Sequence, residues 1–223
     1  MVGVTNAMGV SGPFLSEALN GYNHTLWEEL RDYFVPKSML NNPPVGSVTC
    51  YAGFDWLVVH WDTEKSVMYL ALKDIYHLAS YSDSDNVNVG FKNSIMETEV
   101  QEFEQLLKQR VYQSDSDSNS LFNPLHLLED VEYDGLTCKV FIPTREQMMT
   151  EFDLFRTRFT DGYDYGNFGN AIALYQGEPK AWWLAGNGVG ALKPCVRKNG
   201  YYFQSEATSN LCGFRPFICM KMR

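Results

Sequence analysis

A chain of 223 residues with 45% hydrophobic and 20% charged side chains has the length and apolar content to fold without disulfide or metal staples. Its formal net charge of −9, with no basic stripe, argues against nucleic acid and anionic membrane as partners. No stretch approaches the ~20 apolar residues of a membrane span, and the leading MVGVTNAMGV lacks the charged and apolar regions of a signal peptide, so a soluble protein made in a cytoplasm is expected.

Residues 1–46 differ from the rest and read as an N-terminal arm, either anchoring the chain elsewhere or packing on its own domain. Two short helical stretches, Phe14–Asn20 and Thr25–Phe34, fall in it. Leu26, Leu30 and Phe34 share a face of the second, and Pro36 and then Asn41-Asn42-Pro43-Pro44 end the segment. The domain proper, residues 47–223, opens with β-branched and aromatic runs at Ser47–Tyr51, Asp55–Trp61 and Ser66–Leu72. DWLVVHW reads as a central strand and Asp62–Lys65 as a hairpin turn.

The polar SYSDSDNVNVG leads to a helix over Asn93–Val111. Ile95, Val100, Phe103, Leu106, Leu107 and Arg110 recur near helical spacing, and Asn93 or Ser94 can cap it. Gln113–Ser120 reads as an exposed acidic loop. Its aspartates alternate, but the glycine and glutamate that a calcium-binding EF-hand needs at fixed offsets are missing, so no metal is expected. Lys139–Pro143 is a further expected strand. Thr144, with Glu146 and Gln147 after it, reads as the capped start of a second helix, and Thr160–Asn170 as an irregular loop.

The C-terminal fifth organises the chain. Trp182-Trp183-Leu184 is closed by Gly186, Gly188 and Gly190, and a Pro-Cys turn follows. Tyr201–Phe203 is reached through Asn199-Gly200, and Phe214–Met220 comes last. These runs predict three consecutive antiparallel strands. Gly213 would let the backbone turn or bulge, Arg215 could donate to loop carbonyls, and Pro216 favours the edge or start of a strand. Trp182, Trp183, Gly213 and Arg215 are read as scaffold.

The Trp-Trp-Leu run, the strand after Asn-Gly and the terminal Gly-Phe-Arg-Pro resemble a bacterial and prophage family of C-type-lectin-like domains without an assigned activity. The closing Phe-Ile-Cys-Met-Lys is similar to the last strand of C-type lectins. Pro-Val-Gly-Ser-Val and Tyr-Ala-Gly over 44–53 are similar to the start of phage tail-collar domains. The family's usual Arg-Ser after Trp-Trp-Leu is replaced here by Ala185-Gly186. The resemblance implies an α+β, C-type-lectin-like fold of short antiparallel strands with two packed helices and an N-terminal arm. It also implies a ligand face over residues 204–211 and a virion component made in the host cytoplasm.

Catalytic signatures are sparse. His24, His60, His77 and His126 are scattered, and no zinc motif, nucleophile elbow or dinucleotide fingerprint occurs. His60, inside an apolar strand, reads as a core histidine. The five cysteines fit reduced, mostly buried thiols. Cys195, Cys212 and Cys219 invite comparison with formylglycine-generating enzymes, whose active-site cysteine spacing is not reproduced. Neither catalytic residues nor a cofactor are expected.

What remains is binding chemistry, because Tyr supplies rigid contact area while Ser, Asn and Gly adapt. The candidate ligand-binding residues are Tyr163, Tyr165, Asn167, Asn199, Tyr201, Tyr202, Gln204, Glu206, Ser209 and Asn210. The leading expectation is a non-catalytic tail or surface receptor-binding module that recognises a host-surface glycan or protein. Residues 1–46 would attach it to other virion subunits, and the chain would be a homo-oligomer. The alternative is a structural capsid-decoration, head-fibre or tail subunit that uses the same face for protein contacts, and a minor alternative is an oxidative cysteine enzyme of the formylglycine-generating type.

Overall fold

Short apolar runs that send successive side chains into two different cores decide the architecture. The computed structural model describes residues 43–84, 90–116, 128–133, 136–155, 170–189 and 191–221. The helices expected at Phe14–Asn20 and Thr25–Phe34 lie outside these residues. In chain order come β1 (Val48–Tyr51), β2 (Phe54–Asp62), β3 (Val67–Leu72), β4 (His77–Leu78), α1 (Ile95–Ser116), β5 (Val131–Tyr133), β6 (Leu136–Cys138) and β7 (Val140–Phe141). A π-helical turn (Gln147–Glu151) precedes β8 (Ala173–Tyr175), β9 (Glu178–Trp183), β10 (Leu192–Val196), β11 (Tyr202–Glu206), β12 (Cys212–Phe214) and β13 (Phe217–Lys221).

One sheet has the order β1-β2-β3-β13-β7. The second runs β11-β10-β9-β12-β4, with β8 also on β9, and β5 and β6 form a separate hairpin. The expected α+β fold with two packed helices is therefore corrected. Among the described residues the chain is mostly β and β-sandwich-like, 42% strand and 17% helix, with one helix of seven residues or more. Thr144 does start a helical turn: its Oγ1 accepts from Gln147 N at 3.1 Å while Gln147 Oε1 accepts from Thr144 N at 2.9 Å, a reciprocal capping box. The segment then closes as a π-turn at Phe152, whose N–H bonds Gln147 O, so the cap starts no second packing helix.

Both sheets bury side chains on two faces. Trp56, Val58, Leu70, Val140 and Ile218 join Trp183 in one core, whereas Val59, Ala71, Phe141 and Phe217 join Trp182 in the other. Helix α1 covers the first core with Met96, Val100, Phe103 and Leu107, all nearly or fully buried. Each such side chain contributes about 1.5–3 kcal/mol. Ser94 Oγ accepts from Glu97 N and so caps the helix, which runs beyond the expected end into the expected acidic loop. Arg110 lays its guanidinium over Phe54 at 4.0 Å rather than joining the core.

A bulge at Val59 re-phases the central strand β2. Val58 pairs with Leu70 but His60 with Tyr69, so the extra residue turns Val59 and His60 to the second core and Trp61 to the first. Leu154 N bonds the Val59 carbonyl, and His60 pairs with Asp153 at 2.9 Å. Part of the expected arm belongs to this sheet: Gly46 N bonds Val58 O, and Trp61 Nε1 donates to Pro43 O.

The C-terminal strands need a second correction. Where three antiparallel strands were expected there are five, β9 to β13, and β12 lies parallel to β9. The last run breaks at Arg215-Pro216, leaving Phe214 in one sheet and Phe217 in the other. The expected Pro-Cys turn is strand β10. It tolerates Pro194 because that residue's carbonyl faces Leu184 N, beyond the end of β9, and pairing with β9 begins only at Cys195. Gly213 serves close approach rather than a turn, since a Cβ there would stand 2.2 Å from Ile75 Cγ2.

Arg215 locks the sheet change. It is fully buried, and Nε donates to Leu72 O at 2.7 Å, Nη2 to Lys73 O at 3.1 Å and Nη1 to Ala171 O at 3.4 Å. Arg215→Ala leaves three carbonyls without that donor and is expected to cost roughly 3 kcal/mol or more in chemical denaturation. Arg215→Lys recovers only part, because one ammonium cannot span the three. Tyr51 Oη is buried with no partner among the described residues. Tyr51→Phe should therefore leave stability unchanged or raise it by up to about 1 kcal/mol, read in the same titration.

Candidate binding surface on the β10–β11 hairpin

The Asn199-Gly200 dipeptide shapes the hairpin. Gly200 has φ +85°, its N–H bonds Arg197 O at 2.9 Å, and Arg197 N bonds Tyr201 O at 2.8 Å. That pairing sets the register Cys195↔Phe203 and Lys193↔Ser205, so Tyr201, Phe203 and Ser205 share one face of β11. The Arg197 guanidinium lies 3.5 Å from the Phe203 ring centroid, and Tyr201 and Phe203 remain about two-fifths exposed. A cation on an accessible ring is a stacking platform.

The opposite face of β11 is tied down. Arg145, from the capped turn before Met148, lies 4.4 Å over the Tyr202 ring. Gln204 Nε2 donates to Tyr202 Oη at 3.1 Å, while its Oε1 accepts from Val189 N at 3.0 Å. Gly188, in the connection from β9 to β10, presses against this region so closely that a Cβ would stand 1.9 Å from Leu192 O. After β11 the chain turns through Ser209, whose N–H bonds Glu206 O at 3.0 Å. Ala207 O beneath it accepts from Tyr81 N and Ser82 N.

The candidate ligand residues therefore separate. Tyr163, Tyr165 and Asn167 lie outside the described residues. Asn199 Oδ1 accepts from Tyr201 N and Ser209 Oγ from Leu211 N, so both side chains shape turns. Gln204 is a bracket and Tyr202 a half-buried support. Tyr201, Glu206 and Asn210 are exposed, and Arg197 and Phe203, which sequence reasoning missed, join them. The hairpin signal at Asn199-Gly200 could have placed Arg197 beside Phe203, whereas nothing local points to Arg145.

Cys195, the cross-strand partner of Phe203, and Cys212 come from strands on either side of β9, and their thiols interact. The contact with Cys212, together with burial, holds the proton on Cys195, and the hydrogen bond from Cys195 lowers the Cys212 pKa. Lys193 is buried beside them, with its pKa pulled down by burial. Cys219 stands apart against Tyr69, its pKa pushed up to about 11 by burial. Two of the three compared cysteines thus come together, and among the described residues no three His, Cys, Asp or Glu side chains cluster as metal ligands. Among the same residues no helix is long and apolar enough to cross a membrane.

No protein-family model, curated protein or solved structure matches this chain.

Burial makes a reactivity prediction. In the native protein a maleimide should modify Cys50, which is exposed, and reach Cys195, Cys212 and Cys219 only on unfolding. Mass spectrometry of peptides labelled before and after denaturant checks this, and native labelling of Cys195 at the rate of Cys50 contradicts the buried placement.

Proposed function

We propose that this chain is a non-catalytic binding module that recognises a saccharide of a host surface through the β10–β11 hairpin. The observation that carries the reading is the pair of accessible rings, Tyr201 and Phe203, with Arg197 stacked on the second. Sugar C–H faces pack on such rings, and guanidinium and amide groups nearby bond their hydroxyl or carboxylate oxygens. Rigid supports make the platform inexpensive to organise, because Gln204, Arg145 and the Asn199 turn fix it before any ligand arrives. A phage or prophage virion is the proposed setting. It is supported by the resemblance of the Trp-Trp-Leu and Gly-Phe-Arg-Pro strings to the prophage family, with the part of residues 1–46 that precedes Pro43 as the attachment to other subunits.

A second reading, a structural virion subunit gripping a neighbour with this edge, is favoured by Val189 and Leu211. Both are about three-quarters exposed, which suits a protein surface better than a sugar.

Glycan-array and whole-cell binding by the full chain tests the first reading. Tyr201→Ala and Phe203→Ala should each weaken binding about tenfold or more while the fold stays intact by circular dichroism. Binding unchanged in both variants, or no binding to any glycan or host cell, overturns it. Protection of Val189 and Leu211 from labelling in an assembled particle would move the reading to the structural subunit.

A further inference from the structure

Strand β11 ends its sheet, and among the described residues no strand pairs with its outer edge. The Arg197–Tyr201 bond and the Pro194 carbonyl directed at Leu184 fix which backbone groups face outward. Tyr201, Phe203 and Ser205 bond inward to β10, so the N–H and C=O of Tyr202, Gln204 and Glu206 point away from the sheet. Natural edges of this kind are commonly blunted with lysine or proline, and β11 contains neither.

We infer that β11 pairs antiparallel with β11 of a second copy of this chain, about a two-fold axis at Gln204. Hydrogen-bonded pairing requires outward-facing residues of one copy to meet outward-facing residues of the other, and among the axes that satisfy this the one at Gln204 sets Glu206 opposite Tyr202. Centred on Gln204, each Gln204 N–H donates to the partner copy's Gln204 carbonyl and each Glu206 N–H to the Tyr202 carbonyl. The Glu206 carbonyl stays with Ser209 N.

Charge selects a second copy as the occupant. Tyr202 opposite Glu206 of the other copy sets that exposed carboxylate beside the Arg145 guanidinium stacked on Tyr202, once at each end of the paired strands. Among the described residues Glu206 has no other cation. The axis also carries the Tyr201–Phe203 faces of both copies onto one side of a continuous sheet, giving two platforms in one plane. This pairing goes beyond the saccharide reading and does not rest on it. A monomer can still bind a sugar, and a dimer can form without one.

Sedimentation velocity of the full chain across about 1–200 μM should show a monomer–dimer equilibrium, as befits an interface at the small end of the stable range. Glu206→Arg should weaken the dimer about tenfold or more by placing like charges together, and adding Arg145→Glu should restore it. Circular dichroism verifies the fold of each variant. Glu206→Pro removes the outward N–H as well as the carboxylate and should give a monomer. A wild-type monomer throughout the range, a dimer indifferent to Glu206→Arg, or a loss that the charge swap fails to regain would each overturn the pairing. Sedimentation reads the dimer with no ligand present, so its outcome is independent of glycan binding, which separates failure of the dimer from failure of the binding site.

Discussion

The buried guanidinium of Arg215 is the interaction on which the rest of the fold depends. The chain leaves one sheet at Phe214 and joins the other at Phe217, so the two residues between must cross the interior. Any crossing there strands backbone carbonyls, and Arg215 gathers three of them: two from the end of β3 and the residue after it, and one from the approach to β8. Burial lowers its pKa from the ordinary arginine value to about 10, with Asp74 opposing, so it remains charged at neutral pH. The fork geometry is what makes this charge tolerable, because each of the three nitrogens finds a carbonyl oxygen and the Trp182 face lies 5.0 Å away. Ala171 O also accepts from Trp182 Nε1 at 2.9 Å, which binds the tryptophan and the arginine into one unit.

From that crossing the two cores follow. Adjacent tryptophans on β9 point to opposite faces, Trp182 into one core and Trp183 into the other, so a single strand pins both layers. Trp183 Nε1 finds Ala79 O at 2.7 Å, and neither indole is left unsatisfied. Burial on both faces explains why strands β2, β3 and β13 read as continuous apolar runs rather than as alternating ones.

Local signals in the sequence were legible where the physics is local. The hairpin at Asn199-Gly200, the cap at Ser94 and the Thr144–Gln147 box depend on neighbours in the chain. Pairings between distant segments were not. The β-bulge at Val59 is invisible in DWLVVHW, because its apolar run fits either phase. Pro194 hid strand β10, since proline usually marks a turn and only the early end of β9 makes it tolerable. The capping box at Thr144 suggested a helix to pack, yet a cap specifies where a helix begins and not how far it continues. The helical expectation therefore overstated the α content.

The site divides the same way. Composition pointed to the β11 hairpin and its flanking turns, but composition cannot distinguish a polar side chain that meets ligand from one that shapes a turn. Asn199, Ser209 and Gln204 have the residue types of a recognition surface, and in the fold they spend their hydrogen bonds on Tyr201, Leu211, Tyr202 and Val189. Their contribution to binding is to hold other groups still. The contact area is left to rings that alternation turns outward, and to a cation brought by the facing strand. A surface built this way gains specificity from backbone register, since sliding β11 by one residue would bury Phe203 under Arg145 and turn Tyr202 to the ligand. The proline and glycines that fix the register of this hairpin are thus as much a part of recognition as the aromatic residues they position.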